Sequence, residues 1–383
     1  MVRNLQDLIK KYSDETACRE HLIKQRWPDG KIICQYCGHD KCYRIEKGER
    51  FKCANSKCYK RFRVTVGTIY EASNIPLSKW FLAQYIIMSH KKGISSIQLG
   101  KDIGVTQKTS WFMLHRIREQ LKANNSPMLS GTVEIDECYI GGKVSNMSKT
   151  KRQQNKVKPF VKAPLVAMVE RDGKVLSKVI TGATRVNILP FINENVDDKA
   201  SIMTDTSGLY APLKDVYIHK TVNHDALQYV DGSVHTNTVE GYFGLFKRMV
   251  YGIYHQVSTK HLQRYADEHN FRYNTRKQKD VERFNESLGN VEGRLTYKTL
   301  VNTPVPEFIR PDINLVATSP LPTKRKGAGR YAKPVAIMKD GEVLATYTGA
   351  SEAALITGIP RNKIQRACTN PKRSTYGYQW KYI

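Results

Sequence analysis

The chain has 383 residues and a formal net charge of +27 at pH 7, from 62 Lys and Arg against 35 Asp and Glu. Its length and its 40% hydrophobic content exclude a wholly disordered protein and predict about two to four folded domains. A positive excess of this size repels itself until a polyanion neutralises it, so we expect nucleic acid as a partner. No apolar run approaches the roughly 18 residues of a membrane span, so we expect no membrane partner.

Residues 1–30 are predicted to form an N-terminal helix, and residues 31–70 a zinc ribbon. In the ribbon, Cys34-x2-Cys37 and Cys53-x4-Cys58 are separated by fifteen residues, a spacing that brings four thiolates around one tetrahedral Zn²⁺. Because the second pair is looser than the common x2 spacing, His39 or Cys42 could replace one ligand. We expect the zinc to be structural, since four thiolates leave no open coordination position.

Residues 71–125 are predicted to be helical and to contain a helix-turn-helix. The stretch from Gly93 to Trp111 fits two helices joined at Gly104, with Ser95 and Thr106 as their N-caps. A recognition helix presents its first residues to base edges and its flank to the backbone. The DNA-binding residues expected here are Gln107, Lys108, Ser110 and Arg116.

Residues 130–290 are predicted to be a catalytic core with the element order β-β-β-α-β-α-β-α, which is consistent with an RNase H-like fold. The strands are expected at 132–140, 164–170, 175–180, 201–205 and 216–222, and the helices at 184–196, 236–254 and 260–273. The basic stretch 143–162 has seven Lys and Arg and no acid. We expect it to be an arm that contacts DNA phosphates.

Two aspartates stand out in this basic core. Asp136 lies within an apolar strand and Asp205 ends the next candidate strand. An unpaired carboxylate in such a place is costly unless a cation neutralises it. Carboxylate oxygens favour Mg²⁺ or Mn²⁺. The sequence therefore predicts a divalent metal site to which both residues contribute.

The third acid of the predicted site, Glu240, lies on the long helix. Helical spacing places it on one polar face with Asn237, Gly244 and Lys247, while the core-facing stripe is expected to be Val239, Phe243, Phe246 and Val250. Two metals held by three acids stabilise the entering and leaving oxygens of an in-line phosphoryl displacement. The predicted catalytic residues are Asp136, Asp205, Glu240, Asn237 and Lys247, and the first three are the predicted Mg²⁺ or Mn²⁺ ligands.

The stretch from Cys34 to Asn274 resembles the zinc-ribbon DDE transposases of bacterial insertion sequences, the ISXO-type group. The matching motifs are Phe62–Ile69, Glu134–Lys143, Val234–Glu240, Lys247–Arg248 and Arg272–Asn274. The resemblance implies an RNase H-like fold and metal binding by Asp136, Asp205 and Glu240. Family members differ in whether the third ligand is Asn or Glu, so Asn237 remains an alternative to Glu240. Lys247 and Arg248 are expected to contact DNA.

Residues 291–331 are predicted to be a linker, and residues 332–383 a separate module. The module resembles the small NUMOD-type DNA-binding repeats appended to homing endonucleases, on the pattern of Gly341–Tyr347, Ser351–Ala354 and Tyr376–Tyr382. The resemblance implies a recognition helix that starts near Gly358. Its expected DNA-binding residues are Arg361, Asn362 and Lys363.

The predicted fold class is α/β multidomain, with an N-terminal zinc ribbon and helix-turn-helix, an RNase H-like (DDE) core and a small α/β C-terminal module. The predicted function is a DNA transposase that cleaves transposon ends and transfers the 3′-OH into target DNA, with two Mg²⁺ or Mn²⁺ per active site. A homing-type nuclease and a domesticated, non-catalytic DNA-binding protein are the alternatives.

The expected partner is double-stranded DNA, both the terminal repeats and the target. Pairing two DNA ends implies a homodimer or a larger assembly. The expected location is the bacterial cytoplasm at the nucleoid, or the nucleus or viral factory for a eukaryotic or viral host.

Overall fold

The computed structural model describes residues 4–122, 128–142, 148–150, 162–222, 230, 232, 234–289, 291–306, 308, 334–339, 342–357, 359, 361–369, 374–375 and 377–383. Contacts within the chain divide it into two compact units. The first is Met1–Ser126 with Gly241–Val305, and the second is Pro127–Glu240 with Pro306–Ile383. The predicted core of residues 130–290 is divided between these units, because the chain from Gly241 onward belongs to the first.

The described residues form α-helices and β-strands in the following chain order. The helices are α1 Leu5–Lys11, α2 Glu15–Arg26, α3 Leu77–Ser89, α4 Ser96–Ile103, α5 Gln107–Gln120, α6 Arg185–Asn195, α7 Asn237–Met249, α8 Leu262–Asn274, α9 Asp280–Gly289, α10 Tyr297–Val301, α11 Ala350–Thr357 and α12 Arg361–Cys368. The strands are β1 Cys42–Ile45, β2 Arg50–Cys53, β3 Arg61–Phe62, β4 Thr132–Ile140, β5 Ala163–Glu170, β6 Val175–Val179, β7 Ser201–Asp205, β8 Ile218–Val222, β9 Val335–Lys339, β10 Glu342–Tyr347, β11 Ser374–Thr375 and β12 Tyr378–Tyr382.

The N-terminal segment forms two helices instead of the one predicted for residues 1–30. Each helix has its own cap: the Asn4 side chain accepts from the backbone N–H of Asp7 at 3.0 Å, and Asp14 accepts from that of Ala17 at 3.3 Å. A side-chain acceptor for the unpaired N–H groups of a first turn favours a new helix start. The break between α1 and α2 therefore follows from Asp14.

The zinc ribbon and the helices form the first unit. Its three short antiparallel strands lie in the order β1-β2-β3. α8 and α9 pack against the N-terminal helices through one hydrophobic cluster that includes Tyr12, Phe81 and Phe284. Polar contacts reinforce this packing, since Gln84 donates to the Ser287 hydroxyl at 2.8 Å and Arg283 donates to the Met88 carbonyl at 2.6 Å.

The predicted linker over residues 291–331 is also corrected in its described part. Residues 291–305 belong to the first unit, where Thr68 pairs with Glu292 and Leu300 is fully buried. Buried apolar side chains tie this segment down, so it cannot serve as a free spacer. Residues 309–333 lie outside the described residues.

A five-stranded mixed sheet organises the second unit. Its order is β6-β5-β4-β7-β8. The β6–β5 and β5–β4 pairs are antiparallel, and the β4–β7 and β7–β8 pairs are parallel. The bounds predicted for β4 and β7 are confirmed, and the other strands differ from prediction by no more than two residues at an end. Between β7 and β8 the chain forms a 3₁₀ helix, Gly208–Asp215, where a helix was expected.

Residues 332–383 form the small α/β module expected from the sequence. Its four strands lie in the order β10-β9-β12-β11, and α11 and α12 pack on them around a separate hydrophobic cluster that contains Ile337, Ile364 and Trp380. Across the described ranges, no helix combines the length and the apolar character that crossing a membrane requires.

Candidate functional site

Asp136 and Asp205 lie on neighbouring parallel strands of the five-stranded sheet. The β4–β7 ladder pairs Val133 with Ile202 and Glu134 with Met203. Continuing this register by two residues places Asp136, in the middle of β4, beside Asp205, the last residue of β7, on the same face of the sheet. In open α/β sheets, ligands bind outside the carboxyl ends of parallel strands.

Local backbone groups orient both carboxylates. The Glu137 N–H donates to Asp136 Oδ1 at 2.7 Å, and the Ser207 N–H donates to Asp205 Oδ1 at 3.0 Å. These contacts orient one carboxylate in the middle of β4 and the other at the end of β7. The remaining lone pairs of an ionised carboxylate can accept further donors or a cation.

Negative charge accumulates around these two aspartates. The pKa of Glu137 is raised to about 8, first by burial and then by the charge of Asp136, with Asp205 contributing less. The same three acids, together with burial, raise the pKa of Tyr210. Among the described residues, neither Glu137 Oε1 nor the Tyr210 hydroxyl has a hydrogen bond of standard geometry. A local excess of negative charge of this kind is suited to a cation.

Glu240 and Asn237 lie in the first turn of α7, and both are exposed. The Thr236 hydroxyl donates to Glu240 Oε1 at 3.2 Å. Lys247 and Arg248 are exposed in the last turn. The predicted apolar stripe is confirmed, because its four members are each no more than 3% exposed: Val239, Phe243, Phe246 and Val250.

Glu134 and Glu137 are residues of this region that the sequence analysis missed. Glu134 is fully buried, and its carboxylate accepts from the N–H groups of Thr238 and Val239 at 2.7 and 3.0 Å. Arg171 Nε also donates to it, at 2.6 Å. The signal was present in the sequence, because both glutamates interrupt the same apolar strand as Asp136 and demand a partner for the same reason.

The four predicted cysteines converge at the zinc ribbon. Cys34, Cys37, Cys53 and Cys58 have sulfur atoms that all lie within 4.8 Å of one another, and the described residues hold no other His, Cys, Asp or Glu group this compact. The Cys34–Cys58 and Cys37–Cys53 sulfur distances are 3.9 and 3.6 Å. Tetrahedral zinc with Zn–S bonds of 2.3 Å requires about 3.8 Å between sulfurs.

This geometry fits a structural zinc ion and selects Cys58 as the fourth ligand over His39 or Cys42. The Asp136–Asp205–Glu240 set is more widely spaced than the cysteine set. The register of β4 and β7 brings the two aspartates together, whereas Glu240 as their third partner stays a prediction.

The outer face of the zinc-ribbon sheet is basic and aromatic. Tyr43, Lys52 and Arg61 are cross-strand neighbours on β1, β2 and β3, so their side chains share one face. The Lys41 ammonium lies 6.0 Å from the centre of the Tyr43 ring, and the Lys52 ammonium lies 5.0 Å from that of Tyr59. Tyr43 and Tyr59 are both more than half exposed. Cations beside exposed rings are typical of nucleic-acid surfaces.

Two segments of the chain are similar to domains of known transposases. Residues 128–274 match the ISXO2-like transposase domain, and residues 13–61 match the transposase zinc-ribbon domain. The chain is also 27% identical, over 256 residues, to an uncharacterised protein in transposable element ISH50 of Halobacterium salinarum. That alignment covers 63% of this chain and 84% of the relative.

The matched domains agree with the predicted function, a DNA transposase. The transposase-domain match begins beside β4 and ends within the last turn of α8, so it includes all three predicted acids. The zinc-ribbon match starts at residue 13, before the predicted bound of 31, and therefore takes in α2.

The two helices of the predicted helix-turn-helix form in the transposase as expected. Ser95 and Thr106 cap α4 and α5, and Gly104 has the left-handed φ of 64° that ends α4. Gln107 and Lys108 are exposed at the start of α5, although the Lys108 ammonium lies 5.3 Å from the centre of the Tyr297 ring.

Two of the predicted DNA-binding residues in this region are corrected. Ser110 is fully buried, and its hydroxyl donates to the Ser96 carbonyl at 2.5 Å. Arg116 is 3% exposed, donates to the Glu71 carbonyl and lies 5.5 Å from the Trp80 ring centre. Both side chains connect elements of the transposase to one another, which leaves them unavailable to DNA.

In the C-terminal module of the transposase, α12 begins at Arg361. Arg361, Asn362 and Lys363 are exposed in its first turn, the position predicted for a recognition helix. Most of the predicted basic arm, residues 143–147 and 151–161, lies outside the described residues.

Proposed function

We propose that this transposase cleaves DNA at the ends of its element and joins the released 3′-OH to target DNA at one RNase H-like active site. The observation that supports the proposal is the β4–β7 register: continued by two residues, it pairs Asp136 in the middle of β4 with Asp205 at the carboxyl end of β7. The sheet order, with three antiparallel strands followed by two parallel ones, is consistent with this fold.

The residues proposed to bind Mg²⁺ or Mn²⁺ are Asp136, Asp205 and Glu240, with Asn237 as the alternative to Glu240. When bound, two such ions stabilise both the entering and the leaving oxygen of an in-line phosphoryl displacement. Hard carboxylate oxygens suit these ions. The grouping of Glu137 with Asp136 and Asp205 supports the proposal: the pKa of Glu137 is raised first by burial and then by the charges of these two aspartates.

The protein's own side chains position the site. Backbone N–H groups orient Asp136 in the middle of β4 and Asp205 at the end of β7. The buried stripe of α7 fixes that helix so that its first turn presents Glu240 and Asn237 outward. The exposed Lys247 and Arg248 neutralise DNA phosphates, which raises affinity by counterion release.

DNA binding is proposed to use three further surfaces. The zinc-ribbon sheet contributes Tyr43, Lys52 and Arg61, and its four-cysteine zinc site keeps these strands folded. The start of α5 contributes Gln107 and Lys108. The start of α12 contributes Arg361, Asn362 and Lys363, for which a targeting role in the manner of NUMOD-type repeats is proposed. Joining two DNA ends further implies at least a homodimer on DNA.

A cleavage and joining assay tests the proposed chemistry. The full chain, incubated with duplex carrying a terminal repeat, target plasmid and Mg²⁺, should produce 3′-OH ends and joined products. Asp136→Asn and Asp205→Asn should abolish both products while retaining DNA binding, because each substitution keeps the side-chain shape and removes a negative charge.

Asp198→Asn is the matched control, since Asp198 is an exposed carboxylate just before β7, and this variant should react like the wild type. Cleavage by Asp136→Asn at the wild-type rate would contradict the proposed active site. Cleavage without joining would favour the homing-type nuclease. DNA binding without any cleavage by the wild type would favour the domesticated binding protein.

A further inference from the structure

A single buried carboxylate joins β4, the strand that carries Asp136, to the start of α7. Besides the two backbone N–H groups of α7, Glu134 accepts from the Thr238 hydroxyl at 2.8 Å and from Arg171 Nε at 2.6 Å. The His235 ring Nδ1 lies 3.2 Å from its Oε1. The side chain of Glu134 is 0% exposed, so these groups replace all of its hydration.

This carboxylate acts as the cap of α7. The Glu240 N–H donates to the Thr236 carbonyl at 3.1 Å, which makes Thr236 the N-cap position. The N–H groups of Thr238 and Val239 then belong to the second and third helical residues, the donors that a capping side chain normally satisfies. Here Glu134 supplies the acceptor from a strand more than a hundred residues away in the chain.

Arg171 ties the segment before the helix to the same point. Its Nε donates to Glu134 Oε1, and its Nη2 donates to the His235 carbonyl at 3.0 Å. The guanidinium therefore fixes the carboxylate and the chain entering α7 together. Two hydrogen bonds from one planar guanidinium fix the orientation of its two partners as well as the distance between them.

These contacts of Glu134 also affect the positions of the proposed metal ligands. Side chains alternate along a strand, so Glu134 and Asp136 lie on the same face of β4, about 7 Å apart along the strand. Asn237 and Glu240, the two candidates for the third ligand, both lie in the turn that Glu134 caps.

We propose that Glu134 is a positioning residue that sets the distance between Asp136 and the first turn of α7, and so assembles the metal site from two separate elements. This inference rests on the proposed function. Glu134 itself contacts neither substrate nor metal in this account, because its lone pairs are used by Thr238, Val239 and Arg171.

The test compares Glu134→Gln with the wild type in full-length, zinc-loaded protein on terminal-repeat DNA. Gln keeps the size of the side chain but replaces one acceptor oxygen with an NH₂ group, which cannot accept from α7 or Arg171. A displacement of about 1 Å of a catalytic group costs roughly 10²-fold in rate. We expect kcat for cleavage to fall by about 10²-fold, with KM for DNA unchanged.

The metal dependence separates positioning from simple loss of fold. Mg²⁺ demands near-ideal octahedral geometry, so the rate deficit of Glu134→Gln should be larger in Mg²⁺ than in Mn²⁺. Glu194→Gln, an exposed glutamate on α6 of the same unit, is the matched control and should behave as the wild type. Should Glu134→Gln fail to fold, Arg171→Gln is the second variant, with a smaller deficit of the same pattern expected.

The experiment distinguishes failure of the positioning role of Glu134 from failure of the proposed active site. Wild-type cleavage by Glu134→Gln, with Asp136→Asn inactive, overturns the positioning role and leaves the active site standing. An equal deficit in Mg²⁺ and Mn²⁺, accompanied by a lower melting temperature, also overturns it in favour of a purely structural cap. Wild-type cleavage by Asp136→Asn overturns the proposed function itself.

Discussion

Replacing Glu268 with Gln should unfold the first unit far more easily than any surface substitution. Glu268 lies on α8 and is fully buried, and it accepts from Arg118 of α5 at 2.5 Å and from the Tyr254 hydroxyl at 2.8 Å. Arg272 lies 2.5 Å from Oε1 of Glu268, the oxygen that also accepts from Tyr254, whereas Arg118 contacts Oε2. The remaining nitrogens of Arg118 have no hydrogen bond of standard geometry to the described residues, and this guanidinium lies 3.9 Å from the centre of the Tyr265 ring.

The structure sets the size of the effect. Burial alone would raise the pKa of Glu268, but Arg272 and Arg118 outweigh it and lower the pKa from 4.5 to about 2. That difference is equivalent to about 3 kcal/mol of stability at neutral pH. Removing one partner of a buried ion pair costs roughly 3–5 kcal/mol, because the other charge stays buried. The two results agree.

The pH dependence gives this prediction a second signature. A carboxyl whose folded pKa is depressed contributes stability above its unfolded pKa and loses it as pH falls through the folded value. The gap in unfolding free energy between wild type and Glu268→Gln should therefore be constant above about pH 5 and close as pH falls toward 2. Near pH 2 both side chains are neutral.

Urea unfolding followed by tryptophan fluorescence measures the effect. Trp27, Trp80 and Trp111 lie in the first unit, so a Trp380→Phe background removes the signal of the C-terminal module. With urea m-values of about 1–3 kcal/mol/M, the midpoint of Glu268→Gln should fall by at least about 1 M. Glu20→Gln is the control, since Glu20 pairs with Arg44 at the surface and should cost under about 1 kcal/mol. A loss below 1 kcal/mol for Glu268→Gln would refute the reasoning.

Three further outcomes follow from the structure. Zinc removal by a chelator, or Cys58→Ser, should unfold the ribbon strands and abolish DNA binding. Circular dichroism would detect the unfolding and gel shifts the loss of binding. An intact ribbon in zinc-free protein would contradict a structural zinc. Lys52→Ala should weaken DNA binding and lower the slope of log affinity against log salt by about 1, whereas Lys10→Ala on α1 should not. Burial lowers the pKa of His269 to about 4, so stability should fall from pH 6.5 toward 4, and less steeply in His269→Phe.

The local features of this fold were readable from the sequence. Alternation in Thr132–Ile140 and the short run Ser201–Asp205 predicted β4 and β7 to the residue. Ser95 and Thr106 predicted where α4 and α5 begin, and Gly104 predicted where α4 ends, because caps act through neighbouring backbone groups. The cysteine spacing predicted the zinc site for the same reason, since two short knuckles determine where the ligands lie.

The missed features depend on partners that are distant in the chain. Arg116 carries a charge on a helix, which favours an exposed or DNA-facing reading, yet the Glu71 carbonyl and the Trp80 ring hold it in the interior. Glu268 is buried with Arg118, which lies 150 positions away in the chain, as one of its partners. A single sequence does not show such pairings, so the join of α8 and α9 to the N-terminal helices was not predicted.

The same distinction between local features and distant partners applies to the candidate site. Asp136 and Asp205 were predictable, because an acid within an apolar strand or at its end requires an explanation. The role of Glu134 was not, since its meaning comes from the first turn of α7 and from Arg171. The third ligand stays a prediction for a related reason: Asn237 and Glu240 both lie in that exposed first turn.

The central claim is that two aspartates on neighbouring strands, Asp136 on β4 and Asp205 on β7, hold divalent ions for DNA cleavage, and Mn²⁺ uptake measures this most directly. Calorimetric titration of Mn²⁺ into the zinc-loaded full chain bound to terminal-repeat DNA should show saturable binding in the wild type. The same titration of the Asp136→Asn, Asp205→Asn double variant should show that binding lost while the DNA stays bound. Wild-type Mn²⁺ uptake by the double variant would contradict the account.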